Sequence, residues 1–282
     1  MKSKFKWIFV LCTLFLYSSN LIAQQKEKIK GSKIVTVSQK EIGEFETLEI
    51  QDNLEIFLVK GDQAGLEIEA DDNLHDIIDI DLKATTLRLS TSKQVTGQKK
   101  FSVRITYTDN LKMIIAKNDA NITALADINL TDFTIKSFDY AKVFANVNSK
   151  KFTLMANDKS KSELNLKSDE TIVELSKSAQ LKALISSAQM KFDMYQKSTA
   201  IIEGDVIDLK LRLDNNAGFT GKNFTAKNAE ITTEGYTSSS IMVSTKAIID
   251  ASGKSEIQLY GDAKIEMKKF TDNASLIKKT LK

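Results

Sequence analysis

The stretch that decides the fold runs from residue 111 to residue 267 and repeats itself about every nineteen residues. Three consecutive units read FTIKSFDYAKVFANVNSKK (133–151), FTLMANDKSKSELNLKSDE (152–170) and TIVELSKSAQLKALISSAQ (171–189). A small residue lies near the middle of each unit, at spacings of 21, 19, 19, 19, 19, 20 and 18 residues. The members of this small column are Ala120, Ala141, Ser160, Ala179, Ser198, Ala217, Thr237 and Ser255. A fixed period of this length indicates a repeat architecture.

An apolar column accompanies the small one, six positions earlier in every unit. Its members are Ile114, Ile135, Leu154, Val173, Phe192, Leu211, Ile231 and Ile249. The runs on both sides of the small residue alternate between apolar and polar residues, as in LKLRL (209–213). Alternation with a period of two excludes a helix, in which such residues would point to opposite sides.

Two repeat folds compete for this pattern. VIDLKLRLDN (206–215) resembles the strand half of a leucine-rich repeat. The second half of such a repeat does not alternate, whereas SELNLKS (162–168) does. We therefore predict an all-β fold, a parallel β-solenoid with coils of 19–20 residues. The Asn and Asp residues just before the small column suit bends that need left-handed or bridge conformations; they are Asp119, Asp139, Asn215 and Asn216.

The remaining chain divides around these repeats. Residues 34–110 also alternate, as in FSVRITYT (101–108), and we predict about six strands that form the first layers of the same domain. Residues 24–33 are polar and are predicted to be a flexible lead-in. Residues 270–277 are expected to close the last coil, and 278–282 to form a loose tail. The prediction is one domain over 34–277, with the repeats in 111–277.

The composition agrees with a chain of paired strands. The sequence has no proline, where about fourteen would be expected at average usage, and proline is excluded from central strands. The formal charge is +3, but Lys2, Lys4 and Lys6 lie in a segment predicted to be removed. Without them, 37 basic residues balance 37 acidic ones. A neutral chain argues against nucleic acid as a partner.

Residues 1–23 are predicted to be an export signal: a basic start, the apolar run WIFVLCTLFLY (7–17) and a polar run ending at Ala23. A membrane anchor is the alternative, but the apolar run is too short to span a bilayer. Cys12, the only cysteine, follows Leu11 and does not fit a lipidation site. The exported chain would have no disulfide, thiolate nucleophile or cysteine metal ligand, and would act outside the cytoplasm, in the periplasm, at the outer membrane or on the cell surface.

The closing run ASGKSEIQLYGDAKIEMKKFTDNAS (251–275) resembles the end of the head GIN domain family of auto-transporter adhesins, through Ile257, Tyr260, Gly261 and Asp262. The run from residue 48 to residue 90 resembles the opening of that family. The resemblance covers about residues 40–276 and implies a right-handed, β-helix-like fold in an exported protein without an assigned activity. One departure is that most corners here read Asn-Ala or Lys-Ser where the family has Ser-Gly.

Candidate sites are few. His75 is the only histidine, so the chain has no histidine pair for zinc, and a conventional Ser-His-Asp triad would have to use His75; we interpret it as a surface turn residue. An acidic group could hold calcium, but its spacing does not match an EF-hand, and Asp79 and Asp81 alternate with apolar residues as the wet face of a strand. The group is Asp71, Asp72, Asp76, Asp79 and Asp81.

A polysaccharide lyase would need clustered carboxylates and a basic residue on one coil face. Arg212, beside Asp214, is the only arginine in the repeats, and Asp193 is the nearest acidic residue at its register. We interpret Arg212 as a solvated strand residue. Tyr140 and Tyr236 could present rings to a sugar, but they lie too far apart in the repeat to form one platform.

The sequence therefore predicts an exported, non-enzymatic β-solenoid that binds a cell-envelope protein, a glycan or another copy of itself, or that has a structural role. No catalytic residue, metal or cofactor is assigned. The alternative is a carbohydrate-binding or lyase-like β-helix protein, which exposed aromatic residues grouped on one flank would favour.

Overall fold

A computed structural model describes residues 26–280. The export signal predicted for residues 1–23, including Cys12, lies outside these described residues, as do residues 281 and 282. Strands make up 67% of the described residues and helix is almost absent among them, so the prediction of an all-β solenoid is confirmed. No helix in 26–280 is long and apolar enough to cross a membrane.

The amino-terminal part contains nine strands and one short 3-10 helix. They are β1 (Lys28–Lys30), β2 (Val35–Glu41), β3 (Thr47–Ile50), β4 (Glu55–Lys60), β5 (Gly65–Asp71), the helix η1 (Asp72–Ile77), β6 (Ile78–Lys83), β7 (Thr86–Thr91), β8 (Gln94–Thr96) and β9 (Phe101–Tyr107).

The repeats supply the remaining strands. They are β10 (Met113–Ala116), β11 (Asn121–Ala124), β12 (Ile128–Asn129), β13 (Asp132–Ser137), β14 (Lys142–Ala156), β15 (Lys161–Leu175), β16 (Gln180–Met194), β17 (Thr199–Leu213), β18 (Gly218–Thr233), β19 (Ser238–Ala251), β20 (Glu256–Tyr260), β21 (Lys264–Phe270) and β22 (Ser275–Lys278).

Each coil contributes a strand segment on either side of its corner, and equivalent segments pair in parallel from coil to coil. We call the segments that follow the corners flank A and those that precede them flank B. In β14 and β15, residues 142–149 pair with 161–168 on flank A, and 151–156 pair with 170–175 on flank B. Coils paired in this way lie about 4.8 Å apart along the axis.

The apolar column lies inside the solenoid as predicted. Ile135, Leu154, Val173, Phe192 and Leu211 are consecutive register partners on flank B. All eight members of the column are at most 2% exposed. Burial of each such side chain contributes about 1.5–3 kcal/mol.

The corners have one backbone conformation throughout. The residue two positions before each small residue has a positive φ, between 57° and 79°. Its carbonyl oxygen accepts a hydrogen bond of 2.6–2.9 Å from the corner of the next coil. The eight small residues are at most 2% exposed. The left-handed residues of the repeats are Asn118, Asp139, Asp158, Lys177, Gln196, Asn215, Gly235, Gly253 and Asp272.

Two of the four residues predicted for the corners occupy the left-handed position. Asp139 and Asn215 are left-handed as expected, whereas Asp119 and Asn216 lie one residue beyond the left-handed position. Lys177 and Gln196 adopt the same conformation although their side chains give it no local support. The stacked hydrogen bonds of the neighbouring corners impose it on them.

The amino-terminal strands continue the same core, as predicted. β3 pairs with β10 and β4 with β11, both in parallel. Beyond these, β7 and β9 extend the two flanks, and the antiparallel strands β6, β5 and β2 end them. Residues 34–110 thus contain eight strands and η1 rather than about six strands, because glycine turns and η1 divide the alternating runs.

Both chain ends of the domain differ from the predictions. Part of the expected flexible lead-in is a strand, because β1 pairs with β8 in parallel. At the other end, the closing coil over 270–277 is present, with a corner at Asp272. The tail begins later than expected, since β22 runs to Lys278 and pairs with β20.

The register of the apolar column can be tested with two neighbouring residues. Leu211→Asp places a charge in the core and should lower the free energy of unfolding by about 4 kcal/mol or more. Lys210→Asp changes an exposed side chain and should shift it by no more than about 0.5 kcal/mol. Thermal and urea unfolding of both variants measure the difference, and equal stability would contradict the register.

The corner conformation gives a second prediction. Gly235→Ala should destabilise by about 1–2 kcal/mol, because the added Cβ lies 2.8 Å from the carbonyl oxygen of Asn215 and φ is 79°. Gln196→Gly should instead stabilise by up to about 1 kcal/mol, since φ there is 60° with a Cβ already present. Urea unfolding measures the change in the free energy of unfolding for each variant. Changes of the same sign in both variants would contradict a strained corner.

Candidate functional site

The acidic residues considered for calcium are separated by the fold. Asp71 is fully buried at the end of β5, while Asp72 and Asp76 are exposed on η1. On β6, the Asp81 carboxylate forms an ion pair of 2.7 Å with Lys83. Within residues 26–280, no three His, Cys, Asp or Glu side chains form a group that could hold a metal ion.

The carboxylate of Asp71 is an internal acceptor for backbone amides. Its oxygens accept hydrogen bonds from the amides of Lys33 at 2.9 Å, Lys99 at 3.1 Å and Lys100 at 3.0 Å. Burial opposes ionisation, but these amides and the Lys33 charge hold the pKa of Asp71 below its ordinary value. Asp71 therefore joins the segment after β1 and the loop after β8 to the core.

His75 is held by hydroxyl groups rather than by acids. Its Nε2 lies 2.9 Å from Thr36 Oγ1, and its Nδ1 lies 2.9 Å from Ser38 Oγ. The ring thus fixes η1 against β2. It sits within the short helix η1 rather than in a simple surface turn.

Arg212 lies on flank B opposite Asp193, the register partner that the repeat predicts. Its guanidinium stacks 5.8 Å from the centre of the Tyr195 ring. The Asp193 carboxylate accepts a hydrogen bond from Lys191, with an ion-pair distance of 2.8 Å, and this contact raises the pKa of Lys191. Burial, reinforced by the Asp193 charge, raises the pKa of Tyr195. Both shifts favour retention of the proton, which is the opposite of what a base for proton abstraction needs.

The two tyrosines lie on the ridge of corners and are not brought together. The Lys159 Nζ sits 5.1 Å from the Tyr140 ring centre and 3.2 Å from its hydroxyl. The Lys254 Nζ sits 5.2 Å from the Tyr236 ring centre. Each ring thus contacts the lysine of the next coil, and the two rings do not form one continuous binding surface.

A groove runs along flank A, and the sequence analysis does not predict it. It has a volume of about 550 Å³ and crosses five coils, from the coil of Ala124 to that of Glu203. At about 4.8 Å per coil, it is about 19 Å long and parallel to the solenoid axis. Its floor contains Ala145 and Ala183, and these small side chains make it concave.

Two rows of outward side chains border this groove. The first row consists of Phe144, Glu163, Lys182 and Ile201, and the second consists of Asn146, Asn165, Leu184 and Glu203. Leu184 is 51% exposed and Ile201 is 50% exposed. The groove thus offers apolar contacts interspersed with amides and charges of both signs.

The sequence contained a weak signal for the groove. In QLKALIS (180–186), an apolar residue, Leu184, occupies an outward position of the alternation, as Ile201 does in TAIIEG (199–204). In a chain with 42% apolar residues, such exceptions do not stand out until the register is known.

The comparisons with known proteins agree with the fold. The family model for "Putative auto-transporter adhesin, head GIN domain" matches residues 44–263. A crystal structure of a putative adhesin from Parabacteroides merdae shares 17% identity, covering 89% of this chain and 99% of that one, with a TM-score of 0.65. A putative adhesin from Parabacteroides distasonis shares 15% identity over 90% and 98% of the two chains, with a TM-score of 0.66.

A third structure, of a putative lipid binding protein from P. distasonis, shares 14% identity over 89% of this chain and 99% of that one, with a TM-score of 0.62. No curated protein matches the sequence. At these identities, the solved structures show a common fold and nothing more specific.

The Asp71 carboxylate gives a pH prediction. Because its pKa is lowered in the folded protein, its contribution to stability is present above the ordinary value of 3.8 and is lost as the pH falls through the folded pKa. Asp71→Asn should therefore be less stable than the wild type at neutral pH, and the difference should shrink in acid below 3.8.

Thermal unfolding across this pH range measures the difference. Asp79→Asn is the matched control, because Asp79 is exposed on β6, and it should follow the wild type throughout. A stability difference for Asp71→Asn that does not change with pH would contradict this role of the carboxylate.

Proposed function

The chain belongs to the head GIN domain family of auto-transporter adhesins, and from that premise we propose that it is an exported, non-enzymatic protein that binds an extended cell-envelope polymer in the groove on flank A. The observation that carries the proposal is the groove itself, with two rows of side chains that repeat at the spacing of the coils. A straight ligand with a repeat near 5 Å would meet one side chain of each row in four successive coils.

The chemistry of the rows limits the ligand. Glu163, Lys182 and Glu203 supply charges of both signs, so the groove does not select a strongly charged polymer. The amides of Asn146 and Asn165 are paired in register on adjacent coils and can donate to and accept from hydroxyl or carbonyl groups. A neutral glycan chain with an apolar face is the ligand class that this pattern favours.

The lyase alternative lacks a supporting arrangement on this surface. Proton abstraction would need a group with a lowered affinity for its proton near a carboxylate cluster. The only carboxylates of the groove, Glu163 and Glu203, belong to different rows and to coils two apart. The proposal therefore assigns binding, and no chemical step, to this protein.

The binding prediction uses one groove residue and one control. Leu184→Asp should reduce binding to the glycans that the wild type retains on a glycan array by about tenfold or more, because it replaces an apolar contact with a charge. Met155→Asp is the control, since Met155 is 38% exposed on flank B, outside the groove, and should leave binding unchanged.

Affinities measured by calorimetry and sugar release measured on the same glycans decide the outcome. Equal loss in both variants would place binding outside the groove. Release of cut glycan by the wild type would contradict a non-enzymatic function.

A further inference from the structure

The solenoid is incompletely covered at its carboxyl-terminal end. Ile265, Met267 and Phe270 of β21 are 37%, 47% and 41% exposed. Their register partners in the preceding coil, Ala247, Ile249 and Ala251, are fully buried. The last coil thus presents the same inward columns as every other coil, but without a coil above it. One further layer would complete their burial.

The backbone is also open at this end. Among residues 26–280, β21 pairs only with β19, and β22 pairs only with β20. Each therefore has a row of amide and carbonyl groups directed away from the solenoid. Open edges of this kind are templates for pairing with another strand. Any partner that satisfies them must present two strand edges at once, one on each flank.

The opposite end of the solenoid does not present two strand edges that could pair with β21 and β22 together. There, flank B ends two strands beyond β3, at β6, whereas flank A ends three strands beyond β4, at β2. Leu74 and Ile77 of η1 are buried at this end. A second copy added head to tail would meet a step of one strand and could not pair with β21 and β22 together.

We propose that the open coil of β21 and β22 binds the same coil of a second copy, to form a two-fold symmetric dimer. β21 and β22 lie on either side of the corner at Asp272 in one coil, so their open edges lie at the same height along the solenoid axis. A two-fold axis normal to the flanks brings β21 onto β21 and β22 onto β22, each pair antiparallel. Both sheets then continue through the dimer, and both sets of exposed inward side chains are buried.

Charged side chains of both signs lie at this end, and in the dimer Glu266 offsets part of the lysine charge, which on its own disfavours edge pairing. Lysines surround this end, at positions 264, 268, 269, 278 and 279. In the antiparallel register centred on Met267, which lays β21 on itself along its whole length, Glu266 lies opposite Lys268 and Lys269 of the second copy, where β21 has a bulge. Opposite charges in such cross-strand pairs are favourable. Pairing of this kind is closed, because it uses the same surface on both copies and leaves no free end of the same type.

The experiment measures the molar mass of the purified protein by size-exclusion light scattering over a concentration series. The wild type should have twice the mass of a single chain. Ile265→Lys and Met267→Lys should each give a single-chain mass, because they place charges in the shared layer. Leu184→Lys, which changes an equally exposed residue in the flank A groove, should keep the double mass.

A second measurement tests which ends meet. Met267→Cys should form a cross-linked dimer under oxidation, since a residue opposite its own copy can bridge to it. Val37→Cys, on the edge strand β2 at the other end, should not. Circular dichroism and thermal unfolding confirm that the variants fold, which the exposure of Met267 and Val37 allows.

Three results would overturn the proposal. They are a single-chain mass for the wild type, a mass that grows open-endedly with concentration, and a dimer that persists in Ile265→Lys or cross-links through Val37→Cys. The groove lies in coils well removed from β21, so loss of the dimer with glycan binding intact, or the reverse, distinguishes this proposal from the proposed function.

Discussion

The structure depends on one repeated interaction at the corners. In every coil of the repeats before the last, a left-handed residue turns the chain, and its carbonyl oxygen accepts a hydrogen bond from the corner of the next coil. The small residue two positions later fits the buried space behind that turn. Because each corner is held by its neighbours, the register of both flanks and of the apolar column follows from it. The conformational cost at Lys177 and Gln196 is offset in the same way.

This interaction explains how much of the fold the sequence predicts. Ala141, Ser160 and Ala179 recur because a larger side chain does not fit a fully buried corner, so the interior leaves a period in the sequence. The layers beyond β3 and β4 have no such period, since antiparallel strands and η1 cover the end instead of stacking as coils. The alternation pattern therefore underestimates the number of strands in this part of the chain. It also does not predict the pairing of β1 with β8, because Asp71 fixes that pairing through tertiary contacts.

The outer surface is less predictable for a physical reason. An outward side chain meets water, and lysine, threonine, leucine and asparagine are all tolerated there, so no column constrains them. Leu184 and Ile201 border the groove only because they occupy adjacent coils on the same flank, next to the small side chains of Ala145 and Ala183. Tyr140 and Tyr236 illustrate the converse, since these residues stand out in the sequence but each contacts only a lysine of the following coil and they do not form a common surface.

The direction of the hydrogen bonds has a mechanical consequence. The bonds that join consecutive coils run along the solenoid axis, and each coil contacts only its two neighbours. A tensile load between the two ends of the rod is therefore borne by these bonds in series. The rod would yield at its weakest junction and then lengthen coil by coil. A load across the axis would instead be shared by many coils in parallel. The solenoid should therefore yield at a lower load when it is pulled along its axis than when it is pressed on a flank.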